Sequence, residues 1–224
     1  MIIGGIAFKS KRDHDVSKAL KGLKGDGFAE TEVKWEKTKK GERLKLHKDV
    51  VDYTFEQVDS GQFHFHSLIV PFSDFDHGLR GDKGKSNSVT RMYYQLSLHR
   101  PVRYYGEHCA IHIKPDKSDD YLGFGGYIDA LNNDAKKKYG IKTRPVREIT
   151  FPCSKLSAIH QMNDLIIGAL AHTKNERHLV DGASGHKCDL AEYVHQKIKG
   201  LKNKKNFTIW NFNSPLLKTT KPPA

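Results

Sequence analysis

Cysteine is scarce and scattered. Cys109, Cys153 and Cys188 form neither a CxxC pair for zinc nor a dense crosslinking pattern, which excludes a disulfide-stapled scaffold and fits a reducing cytoplasm. No stretch approaches the roughly 18 apolar residues of a membrane span. The opening MIIGGIAFKSKR lacks the basic region that precedes the apolar core of a signal peptide, so a soluble cytoplasmic protein with no membrane partner is expected. Thirteen histidines are many, yet HExxH is absent, His64 and His66 alternate as strand neighbours do, and no His and Cys set has zinc spacing. There is no internal repeat. GFGG is too short and wrongly flanked for a phosphate loop. Negative charge is the last shortage: 26 Asp and Glu against 38 Lys and Arg leave a formal net charge of +12. That balance favours a polyanion, above all DNA or RNA, held with strong salt dependence.

What is present suffices for one substantial core: 224 residues, 37% of them hydrophobic and 10% aromatic. One domain over residues 1–213 is expected, with 214–224 a disordered tail. Alternation and apolar runs predict strands over 1–8, 63–71, 108–113, 147–152 and 207–212. Helical spacing predicts helices over 15–23, 42–59, 88–98, 121–139, 157–172 and 187–199, with Pro101 ending the third. A brief extended piece falls around Val33 to Trp35. The Gly-, Asp- and Lys-rich stretch after the second strand reads as a flexible surface loop able to meet substrate. This order predicts an α/β fold with a mixed sheet flanked by helices.

Ser157 to His172, SAIHQMNDLIIGALAH, is the most apolar long segment. On a helix, Ile159, Met162, Ile166, Ala169 and Leu170 form a broad apolar face widened by Leu165 and Ile167, while His160, Gln161, Asp164 and Gly168 share a polar seam. Asp164 should therefore be protonated, paired with a base, capping another element or facing a metal ion. Gly168, one turn on, lets another group approach that face. Asp116, just beyond the 108–113 strand, and Glu32, before a cluster holding Lys34, Lys37 and Lys39, are the other acids at positions where α/β folds gather functional groups. Three converging carboxylates would repel one another unless Mg²⁺ or Mn²⁺ neutralised them, and such an ion beside a phosphate supports phosphodiester hydrolysis.

The segments IHQMNDLIIGAL, ETEVKW and HIKPD resemble, in that order, the LLQxADLLAGA signature, the E-[IL]-K-W element and the Asp-ended strand of the bacterial family of unknown function numbered 3800. The resemblance implies a ribonuclease H-like fold and a metal-dependent nuclease site at Glu32, Asp116 and Asp164, with Lys34, Lys37 and Lys39 holding the strand's phosphates. One departure stands out. The family opens on a strand like YIDESG whose Asp is a metal ligand, whereas MIIGGIAF resembles the strand after it. A truncated start, a ligand supplied from elsewhere, or a non-cleaving nucleic-acid-binding subunit of a larger complex would each fit. An open sheet edge left by that strand offers a route to a homodimer or hetero-complex.

Overall fold

The apolar face read from the sequence becomes the centre of the core. The computed structural model describes residues 1–71, 85–116 and 126–212; the loop after the second strand, most of the GFGG turn and the expected tail lie outside them. In chain order the elements are β1 (Ile2–Phe8), α1 (Asp13–Lys24), α2 (Glu42–Asp59), β2 (Phe63–Ile69), α3 (Lys85–Ser97), α4 (Arg103–Tyr105), β3 (Ile111–Ile113), α5 (Tyr127–Tyr139), β4 (Val146–Ile149), α6 (Ala158–Lys174), α7 (Gly185–Gly200) and β5 (Phe207–Asn211). The α/β class and the alternation follow the sequence. The described residues divide into two compact units: residues 2–66 with 153–208, and residues 67–71, 85–116 and 126–152 with 209–212 and Met1.

In the larger unit α6 packs against β1, α1, α2 and α7. Met162, Leu165, Ile166 and Ala169 are all buried, and each large side chain hidden there contributes about 1.5–3 kcal/mol. Asn163 donates from Nδ2 to the Gly4 carbonyl at 3.1 Å, tying the helix to β1. Phe65 and Phe207 stack at 4.4 Å, and Phe55 stacks on Phe207 at 5.5 Å.

The smaller unit has its own core of Leu98, Val102, Tyr127, Leu131, Ala135, Ile141 and Val146. Pro101 does not end its helix. The backbone stays helical through a π turn, Leu98–Val102, that runs into α4; a wider turn accommodates a proline that has no N–H to give and crowds the carbonyl behind it. β3 pairs parallel with β4, the geometry that a crossover through α5 permits. β3 is shorter than expected, because the amides of His108 and Cys109 both turn back to the Tyr105 carbonyl.

One mixed sheet was expected, but the described strands form two sheets, β1-β2-β5 and β3-β4. Met1 and Val70 exchange hydrogen bonds at 2.7 and 2.9 Å, the reciprocal pattern of antiparallel partners. No helix among the described residues is long and apolar enough to cross a membrane.

Candidate nucleic-acid interface

Asp164 holds a backbone amide. Residues 31–34 link a turn to the short 3₁₀ turn Trp35–Lys37, with Lys34 extended, and the amides on either side of an extended residue point the same way. Two of them meet α6. The Val33 amide donates to Gln161 Oε1 at 2.9 Å, and the Trp35 amide donates to Asp164 Oδ2 at 2.6 Å. Gln161 also donates to the Lys155 carbonyl at 2.9 Å. One turn further along, a Cβ on Gly168 would sit 2.2 Å from Trp35 Cγ, so the glycine exists there to seat the indole. Beyond it, Trp35 meets the ring of His172 at 5.6 Å. The polar seam of α6 is therefore a track onto which the ETEVKW segment docks.

The far end of that segment is also fixed. Thr38 Oγ1 donates to the Trp35 carbonyl at 2.8 Å and lies 3.0 Å from His47 Nδ1. Its single proton is spent on the carbonyl, so His47 is the donor in the second contact. His47 is 1% exposed; burial, then the charge of Arg43, pull its pKa down to about 4.

Glu32 is engaged too. It pairs with Lys37 at 3.0 Å and accepts from Ser154 Oγ at 3.3 Å, and its side chain is only 10% exposed. Burial works to raise its pKa, but Lys37, Lys34 and the Ser154 hydroxyl together hold it below the ordinary carboxylate value. Asp116 lies exposed beyond the end of β3, in the smaller unit, whereas Glu32 and Asp164 belong to the larger. Among the described residues no group of three His, Cys, Asp or Glu side chains is placed to hold a metal ion. Of the three lysines expected to meet phosphate, Lys37 is committed to Glu32, Lys34 is half-buried and Lys39 is exposed.

A different surface gathers cations and rings. Around the π turn of the smaller unit, the Arg100 guanidinium lies 4.9 Å from the Trp210 ring and 6.0 Å from that of Tyr104. Arg103 lies 5.9 Å from Tyr104 and 5.5 Å from Tyr139, all within the range of cation–π attraction. His99 hydrogen-bonds the Tyr139 hydroxyl and meets Trp210 edge-on at 5.4 Å, and Phe212 follows at 5.5 Å. Tyr104 is 49% exposed, and Arg103, Lys136, Lys137 and Lys138 are exposed as well. The local field is positive: burial, then Lys138, Arg100 and Arg103, lower the His99 pKa against the opposing pull of Asp134. Arg100 Nη1 donates to the His99 carbonyl at 3.1 Å, but its buried Nε finds no protein acceptor among the described residues.

Sequence reasoning passed over these residues by treating Pro101 as a stop signal. The signal was there in HRPVRYY, two arginines three apart interleaved with aromatics, followed far downstream by Trp210 and Phe212. Comparison with protein-family models, curated proteins and solved structures returned no match.

Proposed function

We propose that this protein binds single-stranded nucleic acid through the arginine–aromatic surface of Arg100, Arg103, Tyr104 and Trp210, and that it holds the strand without cutting it. Arg100 carries the proposal. Its guanidinium is held half-buried beside the Trp210 and Tyr104 rings, with Nη1 on the His99 carbonyl and Nε enclosed, and a phosphate oxygen is the acceptor that the remaining N–H groups of an arginine on a basic face are suited to meet. The exposed Tyr104 ring, with half-buried Trp210 beside it, offers stacking to unpaired bases, a mode tolerant of sequence and open to DNA or RNA. The net charge of +12 supplies long-range attraction.

Hydrolysis with Mg²⁺ or Mn²⁺ at Glu32, Asp116 and Asp164 is the rival proposal. It would require Glu32 to release Lys37 and Ser154, and Asp164 to release the Trp35 amide. A ribonuclease H-like relationship, supported by the order of elements, fits a protein that keeps a strand-binding surface while these acids serve internal bonds. A second chain, whether another copy or a different subunit, would add at β1 or β5, the outer strands among the described residues of the β1-β2-β5 sheet.

The test is fluorescence anisotropy with a labelled single-stranded oligonucleotide over a range of salt. Replacing Arg100 and Arg103 by alanine should weaken binding by about tenfold or more and flatten the salt dependence by about 1.4, at roughly 0.7 per lost phosphate contact. Tyr104→Ala removes an exposed ring and should cost about 1–3 kcal/mol of binding. Affinity equal to the parent's in both the double arginine variant and Tyr104→Ala would refute the surface; divalent-dependent cleavage lost in Asp164→Asn would restore the nuclease.

A further inference from the structure

The larger unit carries a concavity that the arginine–aromatic surface does not use. It lies where the last turns of α6 approach the start of α7 and encloses about 420 Å³, within the range of small-ligand sites. Trp35, seated on Gly168, forms one wall with His172. Arg177 and Lys187 bring two cations, Asp181 one carboxylate and Ser184 a hydroxyl. Among the described residues neither Arg177, Lys187 nor Asp181 is held in an ion pair, so their charges remain available to a ligand. The Ser184 hydroxyl bonds His186 Nε2 at 2.8 Å and does not cap α7. The wall is electropositive, since burial and then His178, Lys187 and Arg177 lower the His172 pKa. An aromatic wall, two free cations and one free carboxylate match three parts of one molecule: a flat base, a phosphate and a sugar diol. A bare polyanion would satisfy the cations but be repelled by Asp181.

We propose that this cleft binds a nucleoside monophosphate, with the base against Trp35, the phosphate on Arg177 and Lys187, and the ribose hydroxyls donating to Asp181. The same chemistry is presented by a free nucleotide and by the 5′-phosphorylated end of an RNA strand. Trp35 reports on both.

In a Trp210→Phe background, AMP should quench the remaining tryptophan emission saturably, and adenosine or inorganic phosphate should bind at least about tenfold more weakly because each lacks one of the charged or stacking contacts. Arg177→Ala with Lys187→Ala should weaken AMP by about tenfold or more. Arg177 is exposed and Lys187 half-buried, and circular dichroism checks that the variant keeps its helices. A 5′-phosphorylated dinucleotide that binds as well as AMP assigns the site to strand ends; binding of AMP alone assigns it to the free nucleotide, and either outcome supports the cleft. No saturable AMP binding at millimolar concentration, phosphate binding as tight as AMP, or indifference to the double substitution would overturn it.

Discussion

Gly168→Ala tests whether the seam of α6 exists to receive Trp35. In an ordinary exposed helix this change stabilises by about 1 kcal/mol, because glycine is the poorer helix former. Here the new methyl would stand 2.2 Å from Trp35 Cγ, 2.5 Å from Cδ2 and 2.6 Å from Cβ. These atoms are at the root of the side chain, so rotating the ring cannot clear them. The segment itself has to lift. Overpacking of this kind costs about 1–3 kcal/mol, and lifting Trp35 also stretches its amide away from Asp164, a bond to a charged group worth about 1.5–3 kcal/mol. After the helix gain is subtracted, a net loss of about 1.5–5 kcal/mol is expected. For a chain of this size that lowers Tm by about 3–20 °C.

Urea unfolding followed by far-ultraviolet circular dichroism reads every variant, including those that lack Trp35. The double variant Trp35→Ala, Gly168→Ala completes the cycle and should show coupling of at least about 1 kcal/mol, since the methyl has nothing to strike once the indole is gone. A neutral or stabilising Gly168→Ala, or additive single changes, would refute the docking track.

Asp164→Asn keeps an acceptor for the Trp35 amide and should cost about 1 kcal/mol or less, whereas Asp164→Leu leaves that amide unanswered and should cost about 1–3 kcal/mol, both read by urea midpoints; neither should alter oligonucleotide affinity. Because His47 is neutral in the folded protein down to a pKa of about 4, while the unfolded chain takes up the proton near 6.5, stability should fall as pH drops through that window, by up to about 3 kcal/mol at 1.36 kcal/mol per pH unit. In His47→Asn that part of the slope should vanish, and a pH profile matching the parent would exclude His47 as its source. Phe207→Ala opens the stack with Phe55 and Phe65 and should cost about 3–5 kcal/mol by thermal or urea unfolding.

Some of this fold is written locally and some is not. α2 runs from Glu42 to Asp59 just as its periodicity predicts, because the pattern is long and its ends are marked: Gly41 and Gly61 hold positive φ at 75° and 72°, where a residue with a side chain is strained. The extended piece expected around Val33 to Trp35 is seen at Lys34, after which Trp35 enters a 3₁₀ turn. Its partner was not legible, since alternation says that a segment has an edge of N–H groups and leaves open whether a strand or a row of side chains accepts them. The same gap explains why five strands read correctly as strands did not disclose that they form two sheets. Pro101 misled for a different reason: its penalty is local, and the π turn absorbs it by letting the backbone bonds re-register.

The fate of Asp164 shows how one pattern supports two chemistries. A carboxylate on a mostly apolar helix has to be answered by positive charge or by N–H groups, and sequence spacing alone does not choose between them. The neighbouring segment chooses here. Successive turns of α6 present Gln161, Asp164, Gly168 and His172, and against them ETEVKW lays an amide, an amide and an indole whose far side meets the imidazole. A metal would need oxygen ligands facing inward at this place; what arrives is a row of donors followed by a ring. The acidic motif thus explains how the larger unit is closed, and the proposed binding of nucleic acid rests on other side chains, Arg100 and Arg103.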